Sequence, residues 1–486
     1  MSDATTNAYR NYIDGEWVAA GAGAVFEDRN PADNTDLVGT FQASGAEDAE
    51  RAVQAASRAF EDWKLTPISQ RARILNAAAD YLDANVDQFA DELTREEGKL
   101  LSASKGEVRR SAQTLRFYAV EGQTLCGESF PQDDPKMLVY TQREPLGVST
   151  VITPWNFPIS IPARKIAPAL ITGNTVVFKP SSEAPMIAYR LAEAFAQAGI
   201  PRGVLNFITG SSGKIGAPIT EPPAVRAISF TGSTAAGEHI HRSVPLTTRT
   251  QMELGGKNPL IVMDDADLDQ AVTLTVNGGF SLTGQACTGT SRVLVMKGVK
   301  QLYLEKLAER VGRLAVGDGR KDGVDLGPLA SAKQLENVLG YIEVGKQEAT
   351  LVCGGERLTG GDYDGGYFVQ PTVFTDVTPT MRIAQEEIFG PVIAVMEVES
   401  YEQAIAIAND VPYGLSASLV TNDFRYIQRF PADIESGTVK VNRTTTGNLV
   451  NAPFGGVKKS STSTFRESGR AGLDFFTQTK TVYLGS

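Results

Sequence analysis

Apolar residues recur at helical spacing through a long stretch of the chain, from residue 46 to about 123. At its start Ala49, Val53, Ala56 and Phe60 are separated by three or four residues. Such intervals place side chains on one face of an α-helix. The stretch therefore predicts several amphipathic helices that pack one face against a core.

The segments on either side of these helices have the patterns of β-strands. Residues 11–18, with the sequence NYIDGEWV, predict a hairpin that turns at Asp14-Gly15, because an Asp-Gly pair readily adopts the backbone conformation of a tight turn. Residues 136–150 predict a strand pair, MLVYTQ and GVSTVITP, which is interrupted at a Glu-Pro step.

Short apolar strands then alternate with helices, from residue 156 to 263 and again from residue 271 to about 441. In the first region the candidate strands are NTVVFK, VLNFIT, AISFTG and PLIVM. This alternation is typical of parallel βαβ units and predicts an α/β fold. The last residues, FFTQTKTVYLGS, predict a terminal strand that must pair with another strand.

The composition argues against several classes of function. The formal net charge is −11 and no block of Lys or Arg is present, so we expect no nucleic-acid partner. The sequence has no run of eighteen apolar residues, so we expect no membrane partner. The polar residues 1–11 lack a secretory pattern, and the three cysteines are scattered. Both observations predict a cytoplasmic protein.

The two histidines, His239 and His241, lie two residues apart in a predicted helix and cannot share one of its faces. A His-rich metal site is therefore not expected, and we predict that the protein uses no metal ion. Acid–base chemistry in this chain would depend on a carboxylate instead.

Two residues are candidates for covalent and acid–base chemistry. Cys287, in TGQACTGT, follows a glycine-containing turn and could begin a helix, where backbone N–H groups favour a thiolate. A buried, inert cysteine is the alternative. Glu253 leaves an apolar strand and precedes two glycines, which suits a general base beside open space. A surface glutamate is the alternative.

Two further motifs suggest donors for an oxyanion and for a phosphate. Asn156, in PWNFP, offers an amide N–H₂ in a loop stiffened by two prolines, although it could equally cap the next helix. Gly232 and Ser233, in FTGSTAAG, lead from a strand into a helix whose N-terminus can bind phosphate. The spacing differs from the G-x-G-x-x-G fingerprint, so this motif alone is a weak indication.

Taken together, these motifs resemble those of the aldehyde dehydrogenase superfamily, in the family's own order and across nearly the whole chain. The matching segments are PWNFP, FKPSSEAP, FTGSTAAG, MELGGKNP, GQAC, EEIFGPV and PFGGVK. The resemblance implies an α/β fold with three parts and a homodimer or homotetramer. The parts are a Rossmann-type cofactor domain (residues 1–121 and 146–254), an α/β catalytic domain (255–460) and a small β oligomerisation element (122–145 and 461–486).

The resemblance also implies roles for three residues. Cys287 would attack the aldehyde to form a thiohemiacetal, and Glu253 would activate the water that hydrolyses the later thioester. Asn156 and the backbone N–H of Cys287 would hold the oxyanion. The presence of Glu253 argues against the coenzyme A-acylating branch of the family, which lacks this glutamate. The complete set of three argues against a catalytically silent member.

The cofactor implied by the resemblance is NADP or NAD. NAD-preferring relatives carry a glutamate where this chain has Ser182, and its absence favours NADP, although Glu183 is adjacent. Lys179 matches the lysine that bonds the adenosine ribose, and Glu387 matches the glutamate at the nicotinamide ribose. The expected cofactor-binding residues are Thr153, Trp155, Lys179, Ser182, Gly232, Ser233, Leu254, Glu387 and Phe389.

The expected substrate is a small aldehyde that bears a carboxylate. TGTSR after GQAC, and SSTSTFRESG after PFGGVK, resemble the 2-oxoglutarate semialdehyde (2,5-dioxopentanoate) dehydrogenases of the family. Arg164 matches an arginine that pairs with the distal carboxylate in semialdehyde dehydrogenases. Phe157 and Ser281 are the other expected substrate-binding residues.

Ser281 is also a departure from the family pattern. Semialdehyde-oxidising relatives often have a second arginine at this position, six residues before the cysteine. Either another donor between residues 443 and 448 replaces it, or the substrate differs. The alternatives are succinic semialdehyde and an uncharged aliphatic or aromatic aldehyde.

Overall fold

The helices form an N-terminal group and a set that alternates with strands. The computed structural model describes residues 8–462 and 464–485, so residues 1–7 of the polar N-terminus lie outside the description. Within these ranges the α-helices are α1 (Ala46–Trp63), α2 (Ile68–Ala84), α3 (Val86–Glu97), α4 (Leu101–Glu121), α5 (Ser160–Ile171), α6 (Met186–Gln197), α7 (Ser212–Thr220), α8 (Thr234–Ser243), α9 (Leu268–Gly279), α10 (Lys300–Val311), α11 (Ala332–Glu348), α12 (Arg382–Gln385), α13 (Tyr401–Asn409), α14 (Phe424–Asp433) and α15 (Gly469–Phe475).

The strands build two large sheets and three small ones. In chain order they are β1 (Asn11–Ile13), β2 (Glu16–Val18), β3 (Val25–Arg29), β4 (Leu37–Gln42), β5 (Ser129–Phe130), β6 (Met137–Pro145), β7 (Val148–Ile152), β8 (Thr175–Lys179), β9 (Leu205–Phe207), β10 (Val225–Thr231), β11 (Arg249–Glu253), β12 (Asn258–Val262), β13 (Thr290–Met296), β14 (Thr350–Cys353), β15 (Thr372–Thr375), β16 (Val392–Val398), β17 (Tyr413–Gly414), β18 (Ser416–Val420), β19 (Thr438–Val441), β20 (Val457–Lys458) and β21 (Thr477–Gly485).

The first large sheet has the strand order β11-β10-β7-β8-β9-β1-β2, and its five strands from β7 to β11 are parallel. Its central strands β7, β8 and β9 are buried along their whole length, as expected for a parallel sheet covered on both faces. The predicted hairpin at residues 11–18 is confirmed as β1 and β2. Asp14 and Gly15 turn it with φ of 52° and 79°.

The second large sheet has the order β14-β15-β16-β13-β12-β18-β19, and it is parallel apart from the antiparallel edge strand β14. The predicted strand PLIVM is β12 of this sheet. Two parallel sheets with interleaved helices confirm the predicted α/β fold class. No helix in the described ranges combines the length and apolar character that a membrane crossing requires.

The third sheet corrects one strand prediction. The two strands predicted as a pair within residues 136–150 do not pair with each other: β6 joins the small sheet β21-β6-β5, whereas β7 joins the first large sheet. The predicted terminal strand is confirmed as β21, which pairs with β6 over nine residues. The domain boundaries and the oligomerising role of residues 122–145 and 461–486 stay predictions.

Candidate active site

The carboxyl ends of four neighbouring strands meet along one edge of the first sheet. In β7, β8, β10 and β11 the pairing sets Ile152 opposite both Lys179 and Phe230, and Thr231 opposite Glu253. Ligands of parallel α/β sheets bind at this edge. The sequence-predicted residues at or just beyond these strand ends are Thr153, Lys179, Gly232, Ser233, Glu253 and Leu254.

Cys287 lies in a turn that leads into β13, so the prediction that it begins a helix is wrong. Leu282, Thr283 and Gly284 have φ values of 54°, 54° and 71°. Cys287 itself lies in a hydrogen-bonded turn, in which the N–H of Gly289 donates to the carbonyl oxygen of Ala286 at 2.8 Å. Gly284 is required at its position, since a Cβ atom would collide with the backbone carbonyl of Gly390.

The side-chain amide of Asn258 holds the cysteine turn in place. Its Nδ2 donates to the carbonyl oxygens of Cys287 and Gly289 at 2.8 and 2.9 Å. Its Oδ1 accepts from the N–H of Ser416 at 3.0 Å. Gly256 allows this approach, because a Cβ there would lie 2.5 Å from the Cys287 carbonyl oxygen. A buried amide with these bonds satisfied fixes the position of the turn.

Asn156 is buried beside the segment that carries the cysteine. Its Nδ2 donates to the carbonyl oxygen of Gln285 at 2.9 Å, two residues before Cys287. A carboxamide has two N–H donors, so the second one is available to a ligand. The backbone carbonyl of Asn156 accepts from Lys99 Nζ at 2.8 Å, which anchors the loop on its other side.

The helix-capping alternative for Asn156 does not hold. Glu107 Oε1 accepts the N–H groups of Ile159 and Ser160 at 3.2 and 3.1 Å, at the start of α5. Its other oxygen binds Lys99 Nζ at 2.5 Å. The Lys99–Glu107 pair therefore satisfies the helix start and leaves the Asn156 side chain to the cysteine segment.

Glu253 is buried at the end of β11, and neither carboxyl oxygen has a hydrogen-bond partner among the described residues. Burial raises its pKa well above the ordinary value, and the charge of Glu467 raises it further, while Lys165 and Arg466 lower it. Burial likewise raises the pKa of the Cys287 thiol to about 12, with a further contribution from Glu387. Both groups therefore hold their protons more tightly than in water.

A buried ionic cluster lies next to this carboxyl group. Lys165 Nζ contacts Glu467 Oε1 and donates to Ser229 Oγ at 2.9 Å. Arg164 Nη1 lies 3.8 Å from Glu467 Oε2. Burial lowers the pKa of Lys165, which the charge of Glu467 partly offsets. The cluster places both signs of charge close to Glu253.

A cleft of about 380 Å³, called the substrate cleft below, opens onto Cys287 and Glu253. All three sequence-predicted substrate residues line it: Arg164, Phe157 and Ser281. The Ser281 hydroxyl is already used, because it donates to the carbonyl oxygen of Asn277 within its own helical segment. Ser281 therefore supplies no free positive charge or strong donor to the cleft.

The predicted cofactor residues fit a nucleotide. Among the described residues, buried Lys179 Nζ donates a hydrogen bond only to the neighbouring Pro180 carbonyl oxygen, at 3.0 Å, and burial lowers the pKa of Lys179 to about 8. Thr153 Oγ1 is buried and has no partner in the described part of the chain. Buried polar atoms normally have hydrogen-bond partners, so both atoms are suited to bind a polar ligand. Ser233 caps α8, with its Oγ accepting from the Ala236 N–H at 3.4 Å, so the N-terminus of the helix lies at this edge.

Two predicted cofactor residues, Glu387 and Phe389, lie in the loop after α12. Glu387 Oε1 accepts from the N–H of Gly256 at 2.9 Å, and burial raises the pKa of Glu387 to about 7. The rings of Trp155 and Phe389 meet edge to face with centroids 5.5 Å apart. The hydroxyl of Ser182 donates to the carbonyl oxygen of Gly210 at 3.4 Å.

Sequence reasoning missed several residues that the structure brings to the site. Lys165 is the neighbour of the predicted substrate residue Arg164 in the segment ARKIAPAL, and Glu467 lies in the quoted segment SSTSTFRESG. A charged residue inside an apolar helix such as RKIAPAL is a usable signal, because it must find a buried partner. Asn258, Lys99 and Glu107 act through contacts between distant segments, and no local pattern indicates them.

The metal prediction concerns the same region. Within residues 8–462 and 464–485, no group of three or more His, Cys, Asp or Glu side chains is arranged to hold a metal ion. The ionisable groups of the cleft are instead a thiol, carboxyls and the cations Arg164 and Lys165. An α/β protein with this set beside the ligand edge of a parallel sheet is suited to covalent catalysis on a carbonyl group.

Comparison with known proteins agrees with this class. The aldehyde dehydrogenase family matches residues 17–482. The chain is 46% identical over 480 residues to alpha-ketoglutaric semialdehyde dehydrogenase of Bacillus subtilis, covering 98% of each chain. It is 41% identical to 2,5-dioxopentanoate dehydrogenase of Saccharolobus solfataricus, covering 98% of this chain and 99% of that protein.

Solved structures give the same result. A Staphylococcus aureus betaine aldehyde dehydrogenase in complex with NAD+ has a TM-score of 0.96 at 34% identity, covering 100% of this chain and 97% of that one. A 3,6-anhydro-L-galactose dehydrogenase in complex with NADP has a TM-score of 0.95 at 34% identity, covering 98% and 100%. The chain belongs to the aldehyde dehydrogenase family, and its activity is the NAD(P)-dependent oxidation of an aldehyde.

Proposed function

We propose that the protein oxidises a carboxylate-bearing semialdehyde, such as 2,5-dioxopentanoate, to the corresponding dicarboxylate. The observation that carries the proposal is the meeting of Cys287, Glu253 and Arg164 at one cleft. A nucleophile, a general base and a cation for a distal carboxylate are the groups that this reaction needs. The names of the Bacillus and Saccharolobus relatives support the same substrate class.

Cys287 is the proposed nucleophile. Its sulfur adds to the aldehyde carbon, the thiol proton leaves to water in the open cleft, and the carbonyl oxygen becomes the oxyanion of a thiohemiacetal. The free N–H of Asn156 and the backbone N–H of Cys287 stabilise that oxyanion. Burial raises the thiol pKa to about 12, which favours loss of the proton in the same step as the attack.

Glu253 is the proposed base of the second half-reaction. A bound nicotinamide cofactor would supply the hydride acceptor for the thiohemiacetal carbon, and Cys287 would then carry the substrate as a thioester. Glu253 then removes a proton from water, the water oxygen adds to the thioester carbon, and the C–S bond breaks to release the carboxylate product and Cys287. A carboxylate with a raised pKa and no competing hydrogen bond is a strong base for this step.

NADP is the proposed preferred cofactor, with dual use of NAD. Lys179 has no carboxylate within ion-pair distance in the described ranges, and its ammonium would attract a 2′-phosphate. Glu183 is the carboxylate next to Ser182 that could favour NAD. It lies near Lys333 and Ser331, which partly offset the rise in its pKa caused by burial. That arrangement supports a 2′-site lined by Ser182 rather than by a carboxylate.

We propose that the enzyme is a cytoplasmic homodimer or homotetramer that assembles through β21. This strand lies at the edge of its sheet and has an open side. Tyr483 and Leu484 on it are 67% and 50% exposed. An exposed edge strand with apolar side chains tends to pair with another strand, and a second copy of the chain would provide that partner.

The test is the absorbance of reduced cofactor with three aldehydes: 2,5-dioxopentanoate, succinic semialdehyde and butanal, each with NAD and NADP. The proposal expects kcat/KM at least about tenfold higher for the acidic aldehydes than for butanal, the worth of one charge-assisted contact. Equal or higher kcat/KM for butanal would discard the carboxylate-bearing substrate. A preference for NAD of more than tenfold would discard NADP.

A further inference from the structure

One face of α4 forms a wall of the substrate cleft. The residues on it recur every three or four positions, as on one helix face; they are Ala103, Gly106, Glu107, Arg110 and Thr114. Two of them are charged. Glu107 is neutralised by Lys99, so Arg110 is the charged group that this wall offers to a ligand.

The two arginines of the cleft differ in their electrostatic surroundings. Arg164 is already shared with a carboxylate, since its Nη1 lies 3.8 Å from Glu467, and its guanidinium also packs over the ring of Phe454 at 5.6 Å. Arg110 has no carboxylate within ion-pair distance among the described residues, and its Nη1 donates only to the carbonyl oxygen of Asn448, at 2.7 Å. The remaining guanidinium N–H groups of Arg110 are free for an anion.

The loop whose Asn448 carbonyl accepts from Arg110 is held in place by Lys440. Lys440 Nζ donates to three successive carbonyl oxygens, those of Thr445, Thr446 and Gly447, at 2.9, 2.6 and 2.7 Å. Asn448 follows directly. An acceptor fixed in this way orients the arginine fork before substrate arrives, which lowers the entropic cost of binding.

The position of Arg110 also answers the question raised by Ser281. The sequence pattern leaves open a replacement donor between residues 443 and 448, but in that segment Thr446, Gly447 and Asn448 line the cleft and Arg443 does not. These three residues offer hydroxyl, amide and carbonyl groups but no positive charge. The charge missing at Ser281 is supplied from α4 instead.

We propose that Arg110 is a specificity-determining residue that binds the distal carboxylate of the substrate, together with Arg164. The inference rests on the proposed function, because it assumes an anionic aldehyde. A planar guanidinium with two N–H groups that make no other hydrogen bond can bind a carboxylate in a bidentate manner. Arg164, partly neutralised by Glu467, gives a weaker field in the same cleft.

The experiment compares Arg110→Met with Arg109→Met, a matched control on the same helix whose exposed side chain does not line the cleft. For each enzyme kcat/KM is measured with succinic semialdehyde and with butanal, which has the same chain length without the carboxylate. We expect the ratio of the two values to fall by about 10- to 100-fold in Arg110→Met. The fall comes from KM, and Arg109→Met keeps the wild-type ratio.

Four possible results decide the inference. A fall of the ratio that Arg110→Lys partly restores supports it. An unchanged ratio in Arg110→Met, alongside a collapsed ratio in Arg164→Met, overturns it while the proposed substrate class stands. A wild-type enzyme with no preference for succinic semialdehyde over butanal overturns both. Equal losses with both aldehydes in Arg110→Met show a structural role for Arg110 and overturn the inference.

Discussion

Replacing Glu253 by Gln separates the two halves of the reaction. Glu253 is buried, its carboxyl oxygens make no hydrogen bond within the described ranges, and a Cβ on Gly455 would lie 2.6 Å from Oε1. An amide of the same shape therefore fits without breaking a contact. Loss of a general base lowers a rate by about 100- to 10,000-fold, which raises the barrier of thioester hydrolysis by about 2.7–5.4 kcal/mol.

The assay is stopped-flow absorbance of reduced cofactor with enzyme in stoichiometric amounts. We expect Glu253→Gln to give a burst of about one equivalent of reduced cofactor per active site. Steady turnover should then be about 100- to 10,000-fold slower than in the wild type. The control is Glu221→Gln, which makes the same change at an exposed position at the end of α7. It should keep the wild-type time course.

The pH profile gives a second signature of the same residue. The pKa of Glu253 is raised above its ordinary value by burial, and the ionised form is the one that accepts a proton. Steady turnover should therefore rise with pH through the raised pKa in the wild type and lose this rise in Glu253→Gln. A burst and a steady rate that fall equally in the variant would refute the assignment of Glu253 to hydrolysis.

The remaining predictions concern the oxyanion, the buried ion pair and the cofactor. Asn156→Ala should lower kcat by about 100- to 1,000-fold, measured at saturating aldehyde; a change below threefold would remove it from the oxyanion site. Lys165→Met leaves Glu467 buried without its main partner and should lower the free energy of unfolding by about 3–5 kcal/mol in urea denaturation; an unchanged midpoint would contradict this. Gly255→Ala places a Cβ against the carboxylate of Glu387 and displaces it. The Kd of the cofactor, measured by fluorescence quenching, should therefore rise; an unchanged Kd would exclude Glu387 from binding the nicotinamide ribose.

The elements of the fold were largely predictable, but one pairing was not. Strand β7 is buried at every position, whereas in β6 only Val139 is buried and the other residues are partly or fully exposed. This difference is typical of a central parallel strand and of a strand in a small open sheet. Local patterns therefore contained a warning against pairing the two. The true partner of β6, β21, lies more than 300 residues away and no local pattern can specify it.

The site was predictable in its residue types more than in its geometry. The motifs singled out Cys287, Glu253 and Asn156, yet Cys287 lies in a turn rather than at a helix start, and Leu282 and Thr283 shortly before it adopt left-handed backbone conformations. Non-glycine residues rarely adopt this conformation, so sequence preferences do not indicate it. Gly284, the next residue, lies so close to the backbone of Gly390 that a Cβ would not fit, and this contact exists only in the folded chain.

The most direct test of the account is the mass of the trapped intermediate. Glu253→Gln is mixed with cofactor and succinic semialdehyde, quenched in acid and analysed by intact-protein and peptide mass spectrometry. The account predicts an adduct equal to the aldehyde less two hydrogens, located on Cys287 and absent from a Cys287→Ser, Glu253→Gln double variant. Substrate turnover without such an adduct, or an adduct on Cys126 or Cys353, would contradict covalent catalysis at Cys287.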